Sequence, residues 1–223
     1  MLQDLAEKNY ATKTIRDIYN ILNAMLKYAV NARMLIHNPC AGAEVPITTT
    51  KEIRVLTIDE QREVLQFAKG RIHENAIRVA LGTGLRIGEL LGLQWSDIDF
   101  KNREISINKT LIYIKDKDTG KYTFKYQTHK TKKSIRTVPM QESVYDALRR
   151  QSIQLKEMKM AAKNWEMLKE FENLVFVSRT GKPLYARSVQ VCLDWIEKAI
   201  NKARKIVAEA TKTEFQPIPH FHN

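Results

Sequence analysis

Cysteine is nearly absent: Cys40 and Cys192 are the two in 223 residues, too few for a disulfide framework or a multi-thiolate metal site. Long apolar runs are missing as well, so no segment suits a bilayer span. The opening MLQDLAEKNY lacks the basic-then-apolar order of a secretion signal. No repeat, low-complexity tract or P-loop glycine pattern is present. These absences exclude the secreted and membrane classes and lead us to expect a reducing, cytoplasmic setting. Acidic residues are in short supply too, with 25 Asp+Glu against 37 Lys+Arg and a net charge of +12. A hydrophobic fraction of 43% and a charged fraction of 28% still describe a soluble globular chain. The imbalance therefore points to a polyanionic partner, nucleic acid first and an acidic membrane surface second.

The excess is local. Residues 101–140 hold eleven lysines and arginines against three acids, two thirds of the net charge in forty residues. A solvated face intersperses compensating acids, as residues 141–180 do with seven basic and six acidic residues. Concentration in one segment reads instead as an electrostatic footprint for phosphates. A basic loop without function is the competing reading.

Ile15, Ile18, Leu22, Met25, Leu26 and Ala29 fall at helical spacing within 12–36. Thr12 or Thr14 offers this helix a cap, and His37-Asn38-Pro39 a stop, because a residue before proline avoids the helical region. The stretch AEVPITTTKEIRVLT then reads as extended, and we place a domain boundary at 46–56. Thr57-Ile58-Asp59-Glu60 has capping-box spacing and opens a helix to about Lys69; another covers about 73–82. A short helix holds RIGELLGL, with Trp95-Ser96-Asp97 as its exit. Three runs rich in β-branched and aromatic residues, 104–113, 121–130 and 135–140, predict strands, and 142–163 and 187–210 predict helices. The expected fold is mainly α with a small three-stranded antiparallel sheet, an α+β class. That sheet coincides with the basic segment.

Gly82-Thr83-Gly84-Leu85-Arg86 turns tightly into the short helix and sets Arg86 in its first turn. A cation there opposes the helix dipole by roughly a few tenths of a kcal/mol, so either an acid pairs with Arg86 or a phosphate does. The run from Gly82 to Asp99, with Gly-Leu-Arg-x-Gly-Glu-Leu followed by Leu-x-Trp-x-Asp-Ile-Asp, resembles the first-arginine box of the tyrosine recombinases, the phage-integrase family. The chain looks most similar to integrases of phages and conjugative transposons, and the resemblance covers nearly its whole length. It implies that Arg86 binds the scissile phosphate and that Glu89 supports the arginine structurally.

Residues 129–139 (HKTKKSIRTVP) read plainly as a basic hairpin, for which a solvated turn is the bland reading. The family carries a catalytic lysine on a hairpin at this place. By that resemblance Lys130 matches, with Lys132 and Lys133 as alternatives; a lysine there donates a proton to a leaving alkoxide. Lys132, Lys133 and Arg136 are also expected to touch DNA. Pro217-Ile218-Pro219-His220-Phe221-His222-Asn223 resembles the lead-in to the family's His-x-x-Arg box, which makes His222 catalytic, with His220 as the other register. As a bare His-x-His the pair has no carboxylate or cysteine beside it to complete a metal site; no metal and no other cofactor is expected.

In the family the second arginine and the nucleophilic tyrosine follow this box, whereas all eight tyrosines here precede it. The resemblance thus divides the chain into a partial helical core-binding domain over 1–45, a linker over 46–56, and a catalytic domain over 57–223 that stops short of that arginine and tyrosine. Residues 1–223 alone are expected not to cleave DNA. For the family, the implied reaction is site-specific recombination by metal-independent phosphoryl transfer through a 3′-phosphotyrosyl link. The implied partners are double-stranded DNA at recombination core sites and further copies in a homotetramer, with no membrane and with a nucleoid-associated location. Lys13, Thr14 and Arg16 offer backbone or groove contacts on the first long helix. Two rival readings stand beside this one. The first is a catalytically inactive DNA-binding remnant or regulator. The second is a metal-dependent nuclease using Asp97, Asp99 and Glu104, although aspartates after a helix end are common for turn reasons alone.

If most of the basic segment neutralises phosphates, affinity for a random-sequence duplex falls about a thousandfold or more between roughly 50 and 200 mM salt. Fluorescence anisotropy measures this directly, and a flat salt dependence removes the footprint reading.

Overall fold

Helical periodicity becomes helix in both parts of the chain. A computed structural model describes residues 1–48, 54–128 and 135–221, and the chain separates into two units, Met1–Arg54 and Val55–Asn223. In the first unit α1 (Leu2–Glu7) precedes α2 (Thr12–Asn31). The cap expected from Thr12 or Thr14 is not made, and Ala11 holds that position. Thr12 Oγ1 instead accepts from the Thr48 N–H at 2.8 Å, which fastens the stretch after Pro46 to the start of α2. The helix ends at Asn31, short of the proline step, with Arg33 just beyond it in the left-handed region (φ 58°). Ile15 is fully buried, while Ile21, Met25 and Tyr28 on the same helix are exposed.

The second unit begins with α3 (Ile58–Ala68) and α4 (Glu74–Thr83), then α5 (Ile87–Leu91) and a 3-10 turn over Trp95–Asp97. Strands follow: β1 (Ile98–Asp99), β2 (Glu104–Ile107), β3 (Lys109–Lys115), β4 (Tyr122–Thr128) and β5 (Arg136–Pro139). The unit continues with α6 (Glu142–Ala161), a 3-10 turn over Lys169–Phe171, and α7 (Ala186–Thr211). The capping box at α3 forms as its spacing predicts. The Glu60 N–H donates to Thr57 Oγ1 at 3.2 Å, and the Thr57 N–H donates to Glu60 Oε2 at 3.0 Å. Among the described residues no helix is long and apolar enough to cross a membrane.

A three-stranded antiparallel sheet forms in the order β1-β2-β5, but its members differ from those expected: Ile98–Asp99 joins it, and the 121–130 run leaves it, pairing as β4 with β3 in a separate antiparallel ribbon. The run expected as one strand over 104–113 is therefore two, parted at Asn108, with different partners on either side. Asp97 explains the break. Its carboxylate receives Lys109 Nζ at 2.7 Å on each oxygen and Asn108 Nδ2 at 3.2 Å, which anchors the chain where it leaves the sheet for the ribbon.

Two apolar clusters hold the unit together. The larger joins Val79 of α4, Leu90 and Leu91 of α5, Ile105 and Ile107 of β2, and Val144 and Leu148 of α6. The smaller joins Val64 and Ala68 of α3, Ile77 of α4, Ile196 and Ile200 of α7, and Ile218 from the segment after α7. Helix α4 thus serves both, with Val79 in one and Ile77 in the other. Gly84 closes α4 in the left-handed region (φ 65°), where it turns the chain toward α5 without steric cost. Gly92, just past α5, lets that helix lie directly on β3, since a Cβ there would sit 2.8 Å from the Leu111 backbone nitrogen. Gly92→Ala is expected to lower the unfolding free energy by about 1–3 kcal/mol. The check is a reduced urea midpoint with an unaltered m-value.

Candidate active site

Arg86 sits one residue ahead of the position read from its sequence. It is the N-cap of α5, with extended backbone (φ −66°, ψ 150°), rather than a member of the first turn. Its N–H donates to Glu89 Oε2 at 3.0 Å, so the carboxylate does for the helix start what the acid of a capping box does. Its Nη1 donates to Glu89 Oε1 at 3.2 Å. The rest of the side chain projects outward: Arg86 is 78% exposed and Glu89 1%.

A second arginine meets the same carboxylate from the sheet. Arg136 Nη1 donates to Oε1 at 3.0 Å and Nη2 to Oε2 at 2.9 Å, the two-pronged geometry that suits a guanidinium and a carboxylate. Arg136 is the register partner of buried Ile107, so its side chain shares the core-facing side of the sheet. These bonds from Arg136 pull the Glu89 carboxyl down to about 2. They outweigh the burial that pushes it up, and the Arg86 N–H acts in the same downward direction. Among the described residues, two guanidiniums and one carboxylate leave a unit positive charge, with Arg86 the exposed member.

Lys130, Lys132, Lys133 and His222 lie outside the described residues. Lys13, Thr14 and Arg16 are exposed on the first turns of α2 in the first unit. His220, the other register for the box, places Nδ1 2.7 Å from Glu197 Oε2.

That contact belongs to a feature the sequence reading missed. The extended segment after α7 folds back along the helix and is fastened to it by polar side chains. Arg204 Nη1 donates to the Gln216 carbonyl at 3.1 Å, and the Ile218 N–H to Asn201 Oδ1 at 2.8 Å. Glu197 meets His220, and Gln190 Nε2 donates to the Phe221 carbonyl at 3.3 Å. Asp194 in turn accepts from Gln190 Nε2 at 2.8 Å. Positions 190, 194, 197, 201 and 204 recur at steps of four and three, one face of a helix. Arg204 also forks onto Glu63 of α3, at 2.6 Å from Nη2. Buried Ile218 completes the fastening, two residues before His220.

The basic segment is partly matched by acids once folded. Of its eight described lysines and arginines, four form ion pairs: Arg103 with Glu142, Lys109 with Asp97, Lys125 with Asp116 and Arg136 with Glu89. Lys101, Lys115, Lys117 and Lys121 are exposed. Two of the three carboxylates of the nuclease reading, Asp97 and Asp99, are engaged. Asp97 holds Lys109, and Asp99 accepts the Lys101 and Asn102 N–H groups at 2.9 and 2.8 Å in an ordinary turn. Among the described residues no three His, Cys, Asp or Glu side chains gather as a metal site. Several tyrosines are occupied as well. A hydrogen bond with Tyr185 pushes the Tyr113 hydroxyl up, and burial does the same to Tyr126, which receives Gln94 Nε2 at 3.0 Å.

The sequence profile of the phage integrase family matches residues 54–220. A tyrosine recombinase XerC-like protein of Caldanaerobacter subterraneus subsp. tengcongensis is 32% identical over 208 residues, covering 89% of this chain and 52% of its own. The transposase from transposon Tn916 of Enterococcus faecalis is 28% identical over 204 residues, 89% of this chain and 48% of its own. Among solved structures, that of the Tn1549 transposon integrase in complex with a circular intermediate DNA matches with a TM-score of 0.68 at 25% identity, over 98% of this chain and 65% of that one. The chain spans about half the length of the curated relatives it matches.

Glu89 titrates at about 2 when folded, against 4.5 for an ordinary glutamate. Its ionised form therefore stabilises the fold above pH 4.5, and that contribution, about 3 kcal/mol, fades as pH falls toward 2. Glu89→Gln is expected to be less stable at neutral pH and to lose this part of the acid dependence. The comparison is made by urea unfolding of both proteins across that range. The downward-shifted Glu74, Asp99 and Asp116 contribute equally to both curves.

Proposed function

Since the chain belongs to the phage integrase family of tyrosine recombinases, we propose that it serves site-specific DNA recombination, with residues 1–223 binding duplex DNA and holding the scissile phosphate. In this reading the chemistry is metal-independent. A tyrosine oxygen attacks phosphorus, the bond to the 5′ oxygen breaks, and the 5′-hydroxyl leaves with a proton while the 3′ end stays linked to the tyrosine. Charge held on the non-bridging oxygens calls for fixed cations, and a guanidinium meets two oxygens at once. Arg86 takes that role, Lys130 donates the proton, and His222 hydrogen-bonds the phosphate or assists the transfer. Residues 1–45 act as a partial core-binding domain, with Lys13, Thr14 and Arg16 on the DNA backbone, and Lys132 and Lys133 add further contacts. Double-stranded DNA is the partner, and assembly on it is as a homotetramer.

The observation that carries this reading is the exposure of Arg86 above a buried acid: 78% of its side chain faces outward while its base is fixed to Glu89. A surface arginine held in this way is preorganised for an anion. The position of all eight tyrosines ahead of the box supports a division of labour in which residues 1–223 bind without forming a covalent link. It equally favours the second reading, a DNA-binding remnant or regulator.

Duplex DNA mixed with residues 1–223 tests both steps, by anisotropy and on a denaturing gel. Arg86→Gln is expected to weaken binding about tenfold, the effect of one charge-assisted contact. The wild-type chain should leave no covalent protein–DNA band, with or without EDTA. Binding indifferent to Arg86 overturns the phosphate assignment. A covalent band from residues 1–223 overturns the division of labour, because it places a nucleophile within them.

A further inference from the structure

We infer that Arg136 is the counter-ion of Glu89 rather than a DNA contact: a positioning residue that keeps Arg86 turned outward. The inference rests on the phosphate role proposed for Arg86 and adds how that role is maintained.

The Glu89 side chain is 1% exposed, so water does little to solvate its carboxylate. A charge in that state draws in whatever cation can reach it, because leaving it underpaired in a buried place is strongly destabilising. Among the described residues two guanidiniums reach it, and they divide the work unequally. Arg136 bonds both oxygens, at 3.0 and 2.9 Å, and is itself only 33% exposed. Arg86 gives one side-chain bond, Nη1 to Oε1 at the longer distance of 3.2 Å. Among the described residues its Nε and Nη2 have no protein acceptor, and these are the groups that can meet phosphate oxygens.

The inequality follows from the two backbones. Arg136 arrives from a strand whose pairing opposite Ile107 aims it at the core side. Arg86 stands at a helix start, with its N–H already on Oε2 and its side chain directed away. If the Arg136 fork is removed, Arg86 is the cation already bonded to Glu89 and placed to take the vacated oxygen. Its guanidinium would then fold onto the carboxylate and lose its outward reach. Arg136 thus acts on the phosphate only through Glu89 and Arg86. Lysine could not replace it fully, because an ammonium is a point charge and does not span two oxygens.

The experiment uses residues 1–223, a random-sequence 30-bp duplex as the probe, and two readouts. One is duplex affinity by anisotropy. The other is the rate at which phenylglyoxal modifies Arg86 in the absence of DNA, mapped by peptide mass spectrometry. Arg136→Gln is expected to weaken the duplex about tenfold, as Arg86→Gln does, and to slow modification of Arg86. Loosening of the fold would instead speed that modification, so a merely structural role for Arg136 gives the opposite sign. The paired variant E89Q/R136Q removes the carboxylate together with its counter-ion and leaves the net charge unaltered. It is expected to restore both affinity, to within about threefold of wild type, and the modification rate.

A paired variant that stays as weak as Arg136→Gln assigns Arg136 to the DNA and overturns the inference. So does an Arg136→Gln protein whose Arg86 reacts at the wild-type rate or faster. If Arg136→Gln does not fold, the paired variant alone decides, by binding like wild type or like Arg86→Gln. If Arg86→Gln leaves duplex binding unaltered, the phosphate role fails, while the modification rates still report whether Arg136 holds Arg86 outward.

Discussion

A carboxylate with 1% of its side chain exposed must be paired where it stands, and Glu89 imposes that demand on three separate elements. Helix α5 has to begin at Arg86 so that a backbone N–H faces Oε2. The helix has to lie against β3, which the bare Cα of Gly92 permits. Strand β5 has to pair with β2 so that Arg136 stands opposite Ile107. A slip of one residue in that last register would turn Arg136 to solvent and Thr137 toward the acid. The buried charge therefore acts as a register mark for the sheet as well as a support for the arginine.

The Gly82–Asp99 run was legible because its geometry is local. Glycine turn, arginine, acid three residues on and apolar helix all lie within one short stretch, so neighbours in sequence are neighbours in space. The capping box at Thr57 was legible for the same reason. The break at Asn108 was not, since it depends on Asp97 reaching a lysine twelve residues away. Arg136 is the instructive middle case. The alternation Arg136, Val138, Met140 puts it on the face of a half-buried valine and a buried methionine, while Thr137 and Pro139 are exposed. A period of two marks it as core-facing, while its charge alone reads as that of a DNA contact. The polar face of α7 was illegible for another reason. Spacing alone reads Gln190, Asp194, Glu197, Asn201 and Arg204 as a solvated stripe. Its partner is a segment up to 31 residues further on that has no periodicity of its own.

The same distinction bears on what a net charge means. Three of the described basic residues of 101–140 pair with acids outside that segment: Arg103 with Glu142, Lys109 with Asp97 and Arg136 with Glu89. A tally by segment credits such a stretch with charge that the fold has already matched from elsewhere. The charge left unmatched is accordingly smaller than the sequence count, and its described part lies on exposed Lys101, Lys115, Lys117 and Lys121.

What separates an outward-facing arginine from an internal one is then the depth of the backbone that carries it, rather than the identity of its acidic partner. Arg86 and Arg136 share one carboxylate. The first stands at an exposed helix start and keeps most of its surface, while the second stands on a core-facing strand position and keeps a third of it. Burial separates the two like charges, one held toward the core and the other left with an open face, and the acid between them makes each placement depend on the other.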